Sequence, residues 1–198
     1  MFGGLNNTTA TVYNTTRIYD IATNTWSTGA TMPGPRELMA AGYYNGKIYL
    51  AAGYSTANPG SETNTIWEYD PVANTWNTSR ANMPASLSGP GYGVINGHLY
   101  VAGGRDPNNG NLNTLYDYNI ATNTWMQRAN IPTGVNAPGS AVVCGKLWIF
   151  GGGNPFLGLG TLPESGKKGV HVPDTSNILQ IYDPATNTCD SMTLAAAS

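Results

Sequence analysis

The sequence predicts an all-β protein made of consecutive four-stranded antiparallel units, and three recurring landmarks carry that prediction. An eight-residue phrase returns four times, as YDIATNTW at 19–26, YDPVANTW at 69–76, YNIATNTW at 118–125 and YDPATNTC at 182–189. A small-residue doublet ends a hydrophobic run at Gly3-Gly4, Ala52-Gly53, Gly103-Gly104 and Gly151-Gly152. An Asn-Gly pair stands between two apolar runs at Asn45-Gly46 and Asn96-Gly97, replaced by Cys144-Gly145 in the third place.

Each landmark dictates a local structure. Asn-Gly between apolar runs is the strongest short-range signal for a two-residue hairpin, because both turn residues take positive φ. The runs that follow it, 48–52, 99–102 and 147–150, are almost continuously apolar, as expected of strands buried on both faces. A third strand such as 65–69 mixes in polar residues and is expected further from the centre. It runs into the recurring phrase, where Asp20, Asp70, Asn119 and Asp183 bond their own backbone two residues on. Asn24, Asn74, Asn123 and Asn187 then take the left-handed conformation. The fourth strand starts at Trp26, Trp76 or Trp125 and frays before Met32-Pro33, Met83-Pro84 and Ile131-Pro132.

This order of elements, at a period near 50 residues, resembles the kelch repeat. The resemblance implies a kelch-type β-propeller: a segment of about four blades, each a four-stranded antiparallel sheet. Its boundaries read as strands two to four of one blade at 1–34 and blades at 35–85, 86–133 and 134–193. A long inserted loop occupies 153–176, and a further strand starts at 194–198. Propellers close with about four to eight blades, so three arrangements stay open. They are part of a longer propeller, six-bladed by resemblance and the favoured one; a four-blade ring; or a first blade completed by another copy. Trp26, Trp76 and Trp125 then read as packing between blades. Gly53, Gly104 and Gly152 read as points of close backbone approach.

Composition bounds the function. The 198 residues are 40% hydrophobic and only 10% charged, with 25 Gly, 13 Pro and a net charge of −2. There is apolar material for a core, no basic run for nucleic acid or an anionic membrane, and no apolar stretch long enough for a membrane span. Neither a secretory leader nor a phosphate loop is expected, since no strand-to-helix pattern follows the glycines.

Residues suited to chemistry are few. His98 and His171, the two histidines, are expected on opposite faces, so no shared metal site is predicted. The histidine and tyrosine set of an oxidase-type propeller has no match, and no cofactor is expected. Kelch adaptors present arginines near the innermost strands. Arg36 occupies that region, but its counterparts are Leu87 and Val135. The long loop, with Phe156, Glu164, Lys167, Lys168 and His171, breaks the rhythm by about 15 residues, and long irregular loops are disproportionately functional. With Arg36, these are the expected ligand or partner contacts.

Cys144 replaces the hairpin Asn and Cys189 the Trp in one and the same repeat. Both turns fall on one face, so a Cys144–Cys189 disulfide is expected, although strand spacing weighs against it. Such a bridge, the low charge and acceptor patterns for N-glycosylation at Asn6, Asn7, Asn14 and Asn77 point to an extracellular or cell-surface location. The functional expectation is a non-catalytic propeller module for recognition or assembly, contacting a protein, a glycan or other copies of itself. The alternatives are part of a secreted carbohydrate-active or oxidase-type enzyme and a surface filament joined by strand exchange.

Overall fold

A computed structural model of the chain describes residues 1–57, 60–106, 108, 110–153 and 177–194. The leading unit holds the short pair β1 (Leu5–Asn6) and β2 (Thr11–Val12), then the hairpin β3 (Arg17–Asp20) and β4 (Thr25–Thr28). Three complete blades follow. The first is β5 (Ala40–Tyr44), β6 (Lys47–Ala51), β7 (Ile66–Asp70) and β8 (Thr75–Asn77). The second is β9 (Gly91–Ile95) and β10 (His98–Ala102), a small ribbon β11 (Arg105–Asp106) and β12 (Gly110–Asn111), then β13 (Leu115–Asn119) and β14 (Thr124–Gln127). The third is β15 (Gly139–Val143), β16 (Lys146–Phe150), β17 (Ile178–Asp183) and β18 (Thr188–Thr193). Each blade is an antiparallel meander in chain order. The innermost strands β5, β9 and β15 contact one another in succession, so the blades fan around a common axis.

The turn chemistry is as the residues demand. Asn45, Asn96 and Cys144 have φ of 47°, 50° and 49°, each followed by a positive-φ glycine. Asn24, Asn74, Asn123 and Asn187 lie between 53° and 57°. The Asp70 carboxylate accepts the Val72 N–H at 2.9 Å, and Asp20, Asn119 and Asp183 repeat the contact.

Blades pack through clusters shared by neighbours. Tyr49, Ile66, Leu99 and Tyr118 belong to one, Tyr100, Leu115, Leu147 and Tyr182 to the next. A polar latch also crosses each junction. The Asn123 carboxamide oxygen accepts the Ala81 N–H at 2.8 Å and the Tyr118 hydroxyl at 2.7 Å, while the Trp125 indole donates to the Ala81 carbonyl at 2.7 Å. Asn74 and Trp76 grip Ala30 in the same way. Asn187 holds the Ala129 N–H at 3.0 Å, but Cys189 supplies no indole. Trp76 and Trp125 are thus packing residues. Trp26 is 60% exposed, since among the described residues no blade stands on its outer side.

The third strands lie outside the first two, as expected, yet they are well buried: Ile66, Trp67 and Tyr69, and Leu115 to Tyr118. Their polar members are neutralised rather than wetted, Glu68 by Arg80 and Asp117 by Arg128. One expectation is corrected: the Cys144–Cys189 bridge is not formed, and both thiols are free. Cys189 faces Tyr182 on β18, whereas Cys144 turns between β15 and β16. That interval is more than two strand spacings of ~4.8 Å, well beyond the ~7 Å between Cα atoms that a disulfide spans. Among the described residues no helix is long and apolar enough to cross a membrane.

Candidate functional site

The end of the propeller away from the Asn-Gly turns is where polar groups converge. The segment leading into each inner strand crosses this end and is fixed there by backbone bonds. Leu38, Gly89 and Ala137 occupy equivalent places with φ of 49°, 59° and 50°. They are concatenated: the Gly89 N–H donates to the Leu38 carbonyl at 2.8 Å and the Ala137 N–H to the Gly89 carbonyl at 2.7 Å. The doublet glycines lie beneath. Gly53 donates to the Leu87 carbonyl and Gly104 to the Val135 carbonyl, each reaching the next blade. A Cβ on Gly53 would stand 2.4 Å from the Glu37 carbonyl oxygen, and one on Gly104 2.7 Å from that of Ser88. Only glycine fits so close an approach at positive φ.

On this scaffold each blade presents strand-paired residues, three in the first and second blades and two in the third. In the first blade Tyr54 pairs with both Glu37 and Glu62; in the second Ser88 pairs with Arg105 and Arg105 with Asn111; in the third Asn136 pairs with Gly153. Arg105 also donates to the Tyr54 hydroxyl at 2.9 Å, tying two blades together. Hydrogen-bonding capacity is left over at this rim. Both carboxylate oxygens of Glu62, the Ser88 hydroxyl, the Asn111 carbonyl and both ends of the Asn136 carboxamide are buried without a partner among the described residues. Buried polar atoms are nearly always bonded, so a concentration of exceptions at one end marks groups that a ligand can engage. Burial also raises the Glu37 carboxyl above the usual carboxylate range, since low polarity disfavours the charged form.

Arg36, expected as a contact residue, is a structural clamp. It is 3% exposed; its guanidinium donates to the Ala52 carbonyl and to the Thr63 and Thr65 hydroxyls at 2.6–2.8 Å, and it lies 3.9 Å over the Trp67 ring. Desolvation holds its pKa down to about 10. The rim positions Glu37 and Leu38 are one and two residues further on. Phe156, Glu164, Lys167, Lys168 and His171 lie outside the described residues, although their loop leaves at Gly153 and returns at Asn177, at this same end. Sequence reasoning missed Glu37, Glu62, Ser88 and Asn136. For Glu37, Ser88 and Asn136 the signal was positional, the residue after Arg36, Leu87 and Val135 in each repeat; Glu62 carried none. His98 sits at the other end, 2.6 Å from Asp117. No group of three or more potential metal ligands occurs among the described residues.

Comparison with known proteins agrees with the architecture. The model of the Kelch motif matches residues 35–80 and 86–132. Beta-scruin of Limulus polyphemus is 29% identical over 132 residues, 63% of this chain and 14% of the relative. Kelch-like protein 24 of Rattus norvegicus is 32% identical over 104 residues, 52% of this chain and 16% of the relative. N-acetylneuraminate epimerase of Shigella flexneri is 30% identical over 86 residues, 42% of this chain and 23% of the relative. The chain therefore spans well under a third of the length of each.

Proposed function

The chain belongs to the kelch-repeat family, and from that premise we propose that it is a protein-recognition module that reads its partner with the end formed by Glu37, Tyr54, Glu62, Ser88 and Asn136. The observation that carries the reading is the unspent hydrogen-bonding capacity gathered on a rigid backbone ring at that end. Two carboxylates in the first blade with hydroxyl and carboxamide groups in the next two suit a segment bearing a basic side chain beside polar neutral ones. Such polar anchors give specificity because an unmatched partner leaves them buried and unpaired.

Panning a random peptide library against the full chain tests this. The expected result is enrichment of peptides carrying Lys or Arg, whose affinity falls tenfold or more in Glu62→Gln and in Asn136→Leu but not in Lys47→Met at the opposite end. Failure to enrich binders, or binders indifferent to both rim changes, overturns it.

We also place the protein outside the cell or on its surface. Low charge supports this, as does exposure of the acceptor Asn7 and Asn14, whereas Asn6 and Asn77 are half-buried and use their side chains in local turns. The free cysteines remove the bridge from that argument. Mass spectrometry of the secreted protein should find glycan at Asn7 or Asn14. A catalytic reading draws on the similarity to N-acetylneuraminate epimerase and on the half-buried Glu37 carboxyl as a proton donor. It requires turnover of a sugar acid that Glu37→Gln abolishes.

A further inference from the structure

The two junctions between complete blades differ in how they are filled at the hairpin end. Between the first and second blades, Arg80 bonds Glu68 and also reaches the Ile120 carbonyl at 3.4 Å, while the Ile120 side chain, 6% exposed, packs into the shared core. Between the second and third blades the same parts recur as Arg128, Asp117 and Tyr100, but the residue in the place of Ile120 is Pro184. The shorter ring leaves a cleft of about 550 Å³, lined by His98, Tyr100, Arg128, Cys144, Lys146 and Pro184 among others. That is within the size range of small-molecule sites.

The hydrogen-bonding inventory of this cleft is one-sided. Asp117, 2% exposed, spends one carboxylate oxygen on His98 Nδ1 at 2.6 Å and the other on Arg128 Nε and Nη2 at 2.9 and 2.7 Å. Asp183 spends its oxygens on Lys146 at 2.9 Å and on the Ala185 N–H. The two carboxylates at the cleft are used up. The donors are not: Arg128 Nη1, which lacks the carbonyl contact that Arg80 makes, the Tyr100 hydroxyl and the remaining N–H bonds of Lys146 have no partner among the described residues. Tyr100 is nearly buried, and burial pushes its pKa up to about 12, so it stays a donor at neutral pH.

The geometry points to this inter-blade cleft as a second binding site, taking a small ligand through an oxyanion, carboxylate or phosphate, that accepts from Arg128, Tyr100 and Lys146. A guanidinium whose outer edge is free and a flexible ammonium are the usual partners of such groups. The site stands apart from the recognition end and does not depend on it.

Calorimetric titration of the full chain with succinate and, separately, with phosphate tests the inference, with amide shifts of Gly97, Gly145 and Lys146 as a local reading. Saturable binding of either probe with shifts at those amides is expected; succinate alone identifies a carboxylate ligand, phosphate alone a phosphate, and both a site for the shared oxyanion. Pro184→Ile, which restores the filling residue of the neighbouring junction, should weaken binding at least tenfold. Lys146→Met, a change on an exposed ion pair, stays folded and should weaken it threefold or more. No saturable binding by either probe, or binding unaltered in Lys146→Met or in folded Pro184→Ile, overturns the inference.

Discussion

Asn123 and Ala81 are joined across a blade junction: the carboxamide oxygen of Asn123 accepts the Ala81 N–H at 2.8 Å while its backbone holds φ at 57°. One residue thus serves a tight turn and the packing of two blades. Asn24 makes the same turn, at φ 55° with the same tyrosine contact, but grips no neighbour among the described residues.

The pair separates the two roles. Asn24→Ala should cost about 1 kcal/mol, the penalty of a left-handed alanine. Asn123→Ala should cost about 2–3 kcal/mol, because the partly buried Ala81 N–H also loses its acceptor. Equal losses in chemical denaturation would remove the latch from the account.

Cys144 stands in a left-handed position that Asn fills in the two other complete blades. Asn tolerates that region by local bonding, so Cys144→Asn should raise stability by about 0.5–1 kcal/mol. Being exposed, Cys144 should react first with a thiol reagent. Cys189, whose thiol burial pushes up to about 11, should react much more slowly in the folded protein. Equal rates at the two thiols, or a mass two protons short of the fully reduced chain, would contradict the free-thiol arrangement.

Arg36 answers to a different test. Removing it leaves the Ala52 carbonyl and two threonine hydroxyls without their donor and strips the stacked cation from Trp67. Arg36→Ala should therefore cost about 3 kcal/mol. A loss of under about 0.5 kcal/mol, typical of surface changes, would return Arg36 to the list of contact residues.

Glu37 gives a pH signature. Its folded pKa is raised by burial, so its contribution to stability is fully present below the unfolded value and is lost as pH rises through the folded value. Glu37→Gln should accordingly raise the thermal midpoint at pH 7, with the gain shrinking as pH falls into the carboxylate range. A gain independent of pH would mean that the carboxyl is not desolvated.

Much of the fold was legible because each blade repeats its own instructions. Asn-Gly at 45–46 and 96–97 set the hairpins, and the Asn of the recurring phrase set the outer turns, since their φ preferences are local. What crosses between blades was hidden. Nothing in the string indicates that Arg36 turns inward onto Trp67 while Glu37 faces the rim, or that exchanging Ile120 for Pro184 opens a cleft. The expected Cys144–Cys189 bridge failed for the same reason. Sequence placed both residues on one end of a sheet, but the bond is decided by distance across strands.

The central claim is that recognition belongs to the end where Leu38, Gly89 and Ala137 are concatenated. The most direct measurement is the map of backbone amide shifts when a library-selected peptide is titrated into the full chain. Shifts concentrated at residues 37–38, 53–54, 88–89 and 136–137 are expected. Shifts confined to the hairpin turns at 45–46, 96–97 and 144–145 would contradict the claim.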